Sequence, residues 1–380
     1  MKLALLDLTA DFDRVKDIWC SLSADSNHSY FLSWGWIENW IRCLPENIPV
    51  KLAVYSEHGL PILAFFLGHA KVVRRGVIHS RSLFLNSTGI PLFDQLYIEY
   101  NSMLHTGIVK YSLQEVLECL PKDWDEFVMP GLDSNAFPGS LTNRAMQVGN
   151  ISVQKEIPSP YVDLDLVRQT HGDYVSLLSR NTRSIIRRSY RGYETRGPVV
   201  CEVANDEKSA LNIFDELVRL HQRAWQARGT KGAFASDFFG NFHRRLILQR
   251  FKHGEIQLLR TCAGDVVIGC LYNFVFNRKV YFYQSGINYE TDKRLKPGFI
   301  CHVEAVRHNV AAGHACYDFL GGDSPYKKKL STHQAKLIWA KVQKPRMKYR
   351  LETRLRTIKK TVQSLLHKSK VTVFLNRLQQ

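Results

Sequence analysis

Apolar positions return along this chain with two different periods. Over 12–22 and 34–44 they recur every three to four residues, which predicts two helices. In the second, Trp36, Trp40 and Cys43/Leu44 share a face, and Ser33 stands where an N-cap is wanted. The pattern then turns strand-like through VKLAVYSE, LPILAFFLGHAKVV and VIHSRSLFLN. His58-Gly59 between the first two reads as a hairpin turn. A short helix is predicted over 112–120, and DEFVMPGL reads as a buried strand.

The segment IPSPYVDLD, 157–165, is stiffened by Pro158 and Pro160 and predicts an extended linker. Beyond it a similar order returns in longer form. A basic helix over 171–196 is stopped by Gly197-Pro198, and VVCEVA comes next as a strand. Helices are predicted over 208–228, ending at Gly229, and over 234–252. IQLLRTCAGDVVIGCLYNFVFNRKVYFYQSGIN holds three strands with turns at Ala263-Gly264-Asp265 and Asn277-Arg278. A helix over 297–313 carries Pro297 in its first turn, and ACYDFLGG closes the pattern as a buried strand. Each half therefore reads as helices, strands, a helix and a strand. The fold expected is α/β (α+β): two copies of one lobe, each a mixed, mainly antiparallel sheet flanked by helices. The divisions expected are 1–160, 161–343 and a C-terminal tail over 344–380.

The length of 380 residues suits two domains at about 100–200 residues each. With 45% hydrophobic and 23% charged residues, global disorder is excluded. The net charge of +17 is unevenly placed: from Asp323 to Gln380, sixteen Lys/Arg face only Asp323 and Glu352. The body is nearly neutral, so nucleic acid need not be its main ligand. Over 347–366, Met347, Leu351, Leu355, Ile358, Val362 and Leu365 fall at helical spacing among basic residues. That basic amphipathic pattern suits an anionic membrane surface or an acidic partner, or packing on the body with a solvated basic face. The eight cysteines are scattered with no C-x-x-C, which fits a reducing compartment and neither a zinc site nor a disulfide framework. Asp7 interrupts the apolar N-terminus, and the longest apolar span, 60–70, is well below the ~20 residues of a membrane helix. A soluble cytoplasmic protein is expected.

Candidate chemistry gathers in the second half. Arg180, Arg183, Arg187 and Arg191 line one helix face without acidic partners at i,i+4, as a phosphate-binding stripe or a solvated face. Lys296-Pro297-Gly298 comes after a strand and opens a helix, where free N–H groups and the helix dipole favour a diphosphate. His221 shares a helix face with Phe214, Leu217 and Trp225; it is either a hydrogen-bonded core histidine or a base. Asp318, inside an apolar strand, needs a partner: either an arginine in an ion pair or a reacting group. Tyr326 and Lys327 come after Gly321-Gly322, where strand ends deliver reactive groups. P-loop, G-x-S-x-G, H-E-x-x-H and G-x-G-x-x-G motifs are absent from the sequence.

In order, SRNTRSIIRR, LVRLHQRAW with GAF, YFYQSGIN, KPGF and YDFLGGDSPYK resemble the CelD/BcsL-like acyltransferases of the GNAT superfamily, relatives of the FemAB peptidyltransferases. The resemblance runs over 161–329, and FLSWGWIENWI resembles the family's helical entry. It implies two GNAT-like lobes and acetyl-CoA, or another acyl-CoA, as co-substrate, with no metal. It places pantetheine along the strand carrying Tyr283, Gln284 and Ser285, and the diphosphate at Lys296, Pro297, Gly298 and Phe299. Only one glycine stands where the common GNAT loop has several. The chemistry implied is direct acyl transfer, with Asp318 or His221 activating the acceptor and Tyr326 protonating the thiolate. Arg183, Arg187 and Trp225 are expected to contact the acceptor, and Lys327 to hold an anionic acceptor or a cofactor phosphate. That acceptor is expected to be a sugar, a sugar nucleotide or another cell-envelope or polysaccharide precursor. The alternatives are a FemAB-like transferase using aminoacyl-tRNA, or a non-catalytic module docking on an anionic surface. The tail would allow peripheral contact with the inner face of the membrane.

Overall fold

A computed structural model describes residues 1–74, 76–107, 111–134, 145–349 and 352. The first half runs β1 (Lys2–Asp7), α1 (Phe12–Asp25), α2 (Trp34–Cys43), β2 (Val50–Glu57), β3 (Leu60–Arg74), β4 (Ile78–Leu85), β5 (Leu104–His105), α3 (Leu113–Glu118) and β6 (Glu126–Asp133). Next come β7 (Ala145–Met146), β8 (Gly149–Asp163), α4 (Leu164–Gln169), α5 (Arg180–Glu194), β9 (Val199–Val203), α6 (Glu207–Gln226) and α7 (Asp237–Arg250). The chain continues through β10 (Ile256–Ala263), β11 (Val266–Phe276), β12 (Lys279–Ile287), α8 (Pro297–Ala311), β13 (Cys316–Asp318), α9 (Pro325–Leu330) and β14 (His333–Gln343).

Local chemistry explains most of these boundaries. Ser33 caps α2 by accepting the Trp36 N–H, and Ser112 and Glu115 form a reciprocal capping box on α3. The two-residue hairpins at His58-Gly59 and Asn277-Arg278 have positive φ at both central positions, the twist that joins adjacent antiparallel strands. The helix expected over 171–196 starts only at Arg180. Asp173 caps a 3₁₀ turn over Tyr174–Leu177, and Ser179 then caps α5. Gly172 at φ 79° breaks the helical path before that turn.

Among the described residues the strands form one sheet in the order β1-β2-β3-β4-β6-β14-β8-β13-β12-β11-β10-β9, with β5 and β7 added at its side. The halves repeat one design. Four antiparallel strands are followed by a fifth that runs parallel to the fourth: β6 beside β4, and β13 beside β12. The sixth strands are exchanged. β8 comes after β6 in the chain yet pairs with β13, while β14 comes after β13 and pairs with β6. β8 and β14 also pair with each other from Tyr161↔His333 to Asn150↔Gln343. This is a mixed α/β fold with a mainly antiparallel sheet flanked by helices.

The exchange overturns the linker reading of 157–165: this stretch is the second half of the 15-residue strand β8. The expected division at 160/161 falls inside that strand. Pro158 and Pro160 are tolerated there for a geometric reason. Their carbonyls face 319–322 and accept the Gly322 and Phe319 N–H groups. Their missing N–H groups would point the same way, so the ladder to β14 loses nothing. β1 and β14 lie outside the elements expected from the pattern, because LALL is short and HQAKLIWAKVQ interleaves lysines with apolar residues. The tail expected over 344–380 lies almost wholly outside the described residues. No helix among the described residues is long and apolar enough to cross a membrane.

The largest core also crosses between the halves. Trp19, Phe31 and Trp36 pack in one cluster with Phe242, Tyr272 and Phe274. A second cluster lies under α8, and a third under α3. Leu337 of β14 is fully buried in the first. We expect Leu337→Ala to lower unfolding free energy by about 2–5 kcal/mol in urea titration. Because the sheet and core are shared, far-UV circular dichroism and tryptophan fluorescence should trace one coincident transition.

Candidate active site

The site begins with a fault in the sheet. Along β11 and β12, Tyr272 pairs with Gln284 but Asn273 pairs with Phe282, so Tyr283 is an extra residue in β12. Such a bulge bends its strand and re-aims side chains. The parallel pairing of β12 with β13 stops at Tyr281↔Asp318. Past that pair the strands part: β12 runs on to Ile287, while 319–322 leans on β8. The result is a splay between Tyr283–Ile287 and Phe319–Gly322.

A cavity of about 290 Å³ opens against the β12 arm of this splay. Ser285 and Ile287 line one wall, Lys296–Phe299 of the α8 N-terminus another, with His302 and Tyr326 between them. Lys293, Tyr289 and Glu290 stand at its edge. Ser189 of α5 accepts the Lys296 N–H at 3.2 Å, fixing the entry to α8. At Gly298 nothing lies within 4 Å of where a Cβ would sit, so a ligand can approach its backbone.

Of the residues expected at a donor site, Ser285, Lys296, Pro297, Gly298 and Phe299 line this cavity. Gln284 and Tyr283 do not. The Tyr283 ring turns to the other side of the sheet, against Phe274 and His243, and its hydroxyl donates to Leu96 O at 2.8 Å. Tyr326 stacks on His302, with centroids 5.6 Å apart. Burial, then the Lys327 charge, pulls the His302 imidazole down to about 3, so it is neutral, and Nδ1 meets the Tyr317 hydroxyl at 3.1 Å. Burial pushes the Tyr326 phenol up, so it keeps its proton at neutral pH.

The two expected bases sit in well-filled surroundings. His221 Nε2 accepts the Ala233 N–H at 3.4 Å, which leaves Nδ1 as the donor to Ser285 O at 3.1 Å. Burial pulls this imidazole down, against the bond to Ser285. It thus braces β12 beside the bulge. Gly286 permits this closeness, because any side chain there would collide with the Leu217 backbone of α6. Asp318 is fully buried. It accepts from Tyr100 Oη at 2.5 Å, Ser159 Oγ at 3.3 Å and the Leu320 N–H at 2.7 Å. Its ion pair is with Lys279 Nζ at 2.7 Å, a lysine rather than the arginine considered from sequence. Burial lowers the Lys279 ammonium, but Asp318, Tyr281 and Cys316 raise it more, so the lysine keeps its charge.

The expected acceptor residues scatter. Lys327 Nζ donates to Leu320 O and Gly321 O at 3.1 and 2.9 Å, and burial pulls the ammonium down. Arg183 is spent on the carbonyls of Ser176 and Leu178. Arg187 is exposed on α5. Trp225 is 38% exposed, and Arg228 lies between its ring and that of Tyr289, at 5.5 and 5.1 Å. Because Tyr289 borders the cavity, this stack reaches its mouth.

Two residues at the site escaped the sequence reading. His302 lies one helical turn past Gly298, a spacing that could have flagged it. Glu99, a lone carboxylate between Ile98 and Tyr100, was a signal of buried chemistry. Its Oε2 accepts the Gly321 N–H at 2.5 Å.

Residues 180–328 match the family described as acetyltransferase (GNAT) domain, a span running from α5 into α9. No curated protein matches the chain. Among solved structures, FemX is 12% identical with a TM-score of 0.54, over 85% of this chain and 95% of that one. A conserved protein of unknown function from Bacteroides thetaiotaomicron is 11% identical, TM-score 0.53, over 90% and 100%. The C-terminal domain of a candidate lysylphosphatidylglycerol synthetase from Agrobacterium fabrum is 12% identical, TM-score 0.51, over 93% and 96%. At these identities the structural likenesses define the fold. The fold is that of a GNAT-type acyltransferase.

Removing one partner of a buried ion pair leaves the other charge uncompensated. Lys279→Met should therefore destabilise the protein by about 3–5 kcal/mol in denaturant titration. Adding Asp318→Asn should recover part of that loss.

Proposed function

We propose that this protein is an acyl-CoA-dependent N- or O-acyltransferase, with acetyl-CoA as the leading donor. The observation that carries this reading is the splay of β12 from β13 over a cavity that ends at the α8 N-terminus. An extended thioester arm fits along the β12 arm, where the bulge leaves backbone groups outside the ladder. The Gly298 N–H at the start of α8, which has no partner among the described residues, together with the helix dipole and with Lys293 and Lys296 beside it, suits a diphosphate. Bound there, the donor supplies an acyl carbon activated by its thioester.

The chain's own residues do the rest. His221 fixes the Ser285 carbonyl and hence the course of the β12 arm. Asp318, with both oxygens engaged, holds the start of the splay against Lys279 and Tyr100. Tyr326 is protonated at neutral pH and stands in the cavity wall, so it suits proton delivery to a leaving thiolate. The stack of Trp225, Arg228 and Tyr289 offers flat faces and a cation at the mouth. Those features suit a sugar ring or an anionic group, which supports a sugar, sugar nucleotide or other cell-envelope or polysaccharide precursor as acceptor. The basic tail would hold such an enzyme at the inner face of an anionic membrane.

A second reading is favoured by one observation. Arg180, Arg187 and Arg191, on exposed positions of α5, the same helix whose Ser189 clamps Lys296, have no ion pair among the described residues. Such a face suits the phosphates of an aminoacyl-tRNA donor, as in a FemAB-like transferase. Titration calorimetry with acetyl-CoA, desulfo-CoA and a longer acyl-CoA separates the two. Saturable CoA binding is expected, and Lys296→Glu should weaken it about tenfold, equivalent to about 1.4 kcal/mol. A folded protein that binds none of them, but binds tRNA with steep salt dependence, would replace the first reading with the second.

A further inference from the structure

Resting on the acyltransferase reading, we propose that Glu99, carried by the first half of the chain, is the catalytic base that takes the proton of the acceptor. The two arms of the splay are each tied to one short segment of the first half. Tyr283 on the β12 arm donates to Leu96 O, and Gly321 on the β13 arm donates to Glu99 Oε2. Residues 96–99 therefore bridge the gap between the arms. They do so from the face to which Tyr283 turns, while the cavity with His302 and Tyr326 lies on the α8 face. Donor and acceptor would thus reach the gap from opposite faces of the sheet.

The segment is held in place independently of any ligand. Ser29 Oγ donates to Glu99 O at 3.1 Å, and Asn101 N to Gly131 O at 2.8 Å. Tyr97 and Tyr100, on either side of Glu99, have φ of 40° and 53°, and Leu320 on the opposing arm has φ 60°. Non-glycine residues rarely adopt this region, and such strain gathers at functional sites. Among the described residues, Glu99 Oε1 has no hydrogen-bond partner, so one carboxylate oxygen is anchored and the other is unengaged.

The electrostatic surroundings agree. Burial pushes the Glu99 carboxyl up to about 7; the Gly321 N–H and the Lys327 and Lys279 ammoniums oppose the rise, and Asp318 adds to it. Tyr100 and Tyr283 are the neighbouring phenols, and both are held protonated by burial. A base matched to neutral pH is the efficient one. By contrast, the polar atoms of His221 and Asp318 are already engaged.

Protons and electron pairs balance among this chain's groups. Glu99 Oε1 takes the proton from the acceptor nitrogen or oxygen as that atom bonds to the acyl carbon. Tyr326 gives its proton to the sulfur as the carbon–sulfur bond breaks and sulfur keeps the electron pair. Solvent then carries the proton from Glu99 to Tyr326.

Glu99→Gln tests the role, because glutamine keeps an oxygen for the Gly321 N–H but cannot act as a base. Acetyl-CoA consumption would be monitored as free thiol, with hydroxylamine and glucosamine as probe acceptors, from pH 5.5 to 9. For wild type, kcat/KM should rise through a midpoint near 7. In the variant that limb should vanish and kcat fall about 10²–10³-fold, while desulfo-CoA affinity and thermal midpoint hold. Turnover by Glu99→Gln within about threefold of wild type, with the limb intact, overturns the proposal. A loss of stability that accounts for the whole effect also overturns it, in favour of a structural tie. Where neither probe turns over, ¹³C-glutamate NMR decides: a resonance missing from the variant should titrate near 7, and a midpoint below about 5 overturns the role. If the folded wild type does not bind desulfo-CoA, the acyltransferase reading itself fails and this role falls with it.

Discussion

The backbone ladder between β8 and β14 is the constraint on which the remaining structure rests. Each strand leaves its own half and completes the other, so neither half can close its sheet alone. An unpaired strand edge leaves a row of N–H and C=O groups unsatisfied, and here both potential edges meet at the centre and satisfy each other. The hydrophobic core repeats this logic, with α1 and α2 of the first half sharing one cluster with α6, α7 and β11 of the second. The two halves therefore act as one body, and residues far apart in sequence are held at fixed positions.

The site depends on that rigidity. β12 is paired with β13 only as far as Tyr281 and Asp318, and past that pair the gap is kept open by positive constraints. The bulge at Tyr283, the brace from His221 to Ser285 and the lean of 319–322 on β8 all pull the arms apart. Asp318, Lys279, Tyr100 and Ser159 bind the apex of the gap into a filled polar cluster. Buried charges of this kind are costly unless every group is satisfied, and here the carboxylate has four partners. A cluster so complete suits positioning. An oxygen with no partner among the described residues, as on Glu99, suits chemistry.

Much of this was legible from local pattern. Both type I′ hairpins, the caps at Ser33 and Ser112 and the Pro-led helix α8 arise from residue types that act within a few positions of themselves. The turn Lys296-Pro297-Gly298 could be recognised as the start of a helix after a strand, and it does line the cavity. Where the local reading missed, a distant partner had overridden it. Pro158 and Pro160 suggested a linker, because nothing nearby shows that their missing N–H groups face a side the ladder does not need. β14 carries too many lysines to announce a central strand, and only its two neighbours make it one. Tyr283 reads as part of a donor-binding strand, yet the bulge turns its ring to the opposite face.

The sequence by itself determined the class of fold, the near-neutral body with its basic tail, and the strand–turn–helix that frames the cavity. Those features arise from hydrogen bonds, periodicity and charge within short stretches of chain. Only the tertiary structure decided that the halves exchange their last strands, that Asp318 pairs with Lys279, and that Glu99 of the first half meets Gly321 of the second. Such contacts join residues far apart along the chain, and no local pattern encodes which of many possible partners a buried group will find.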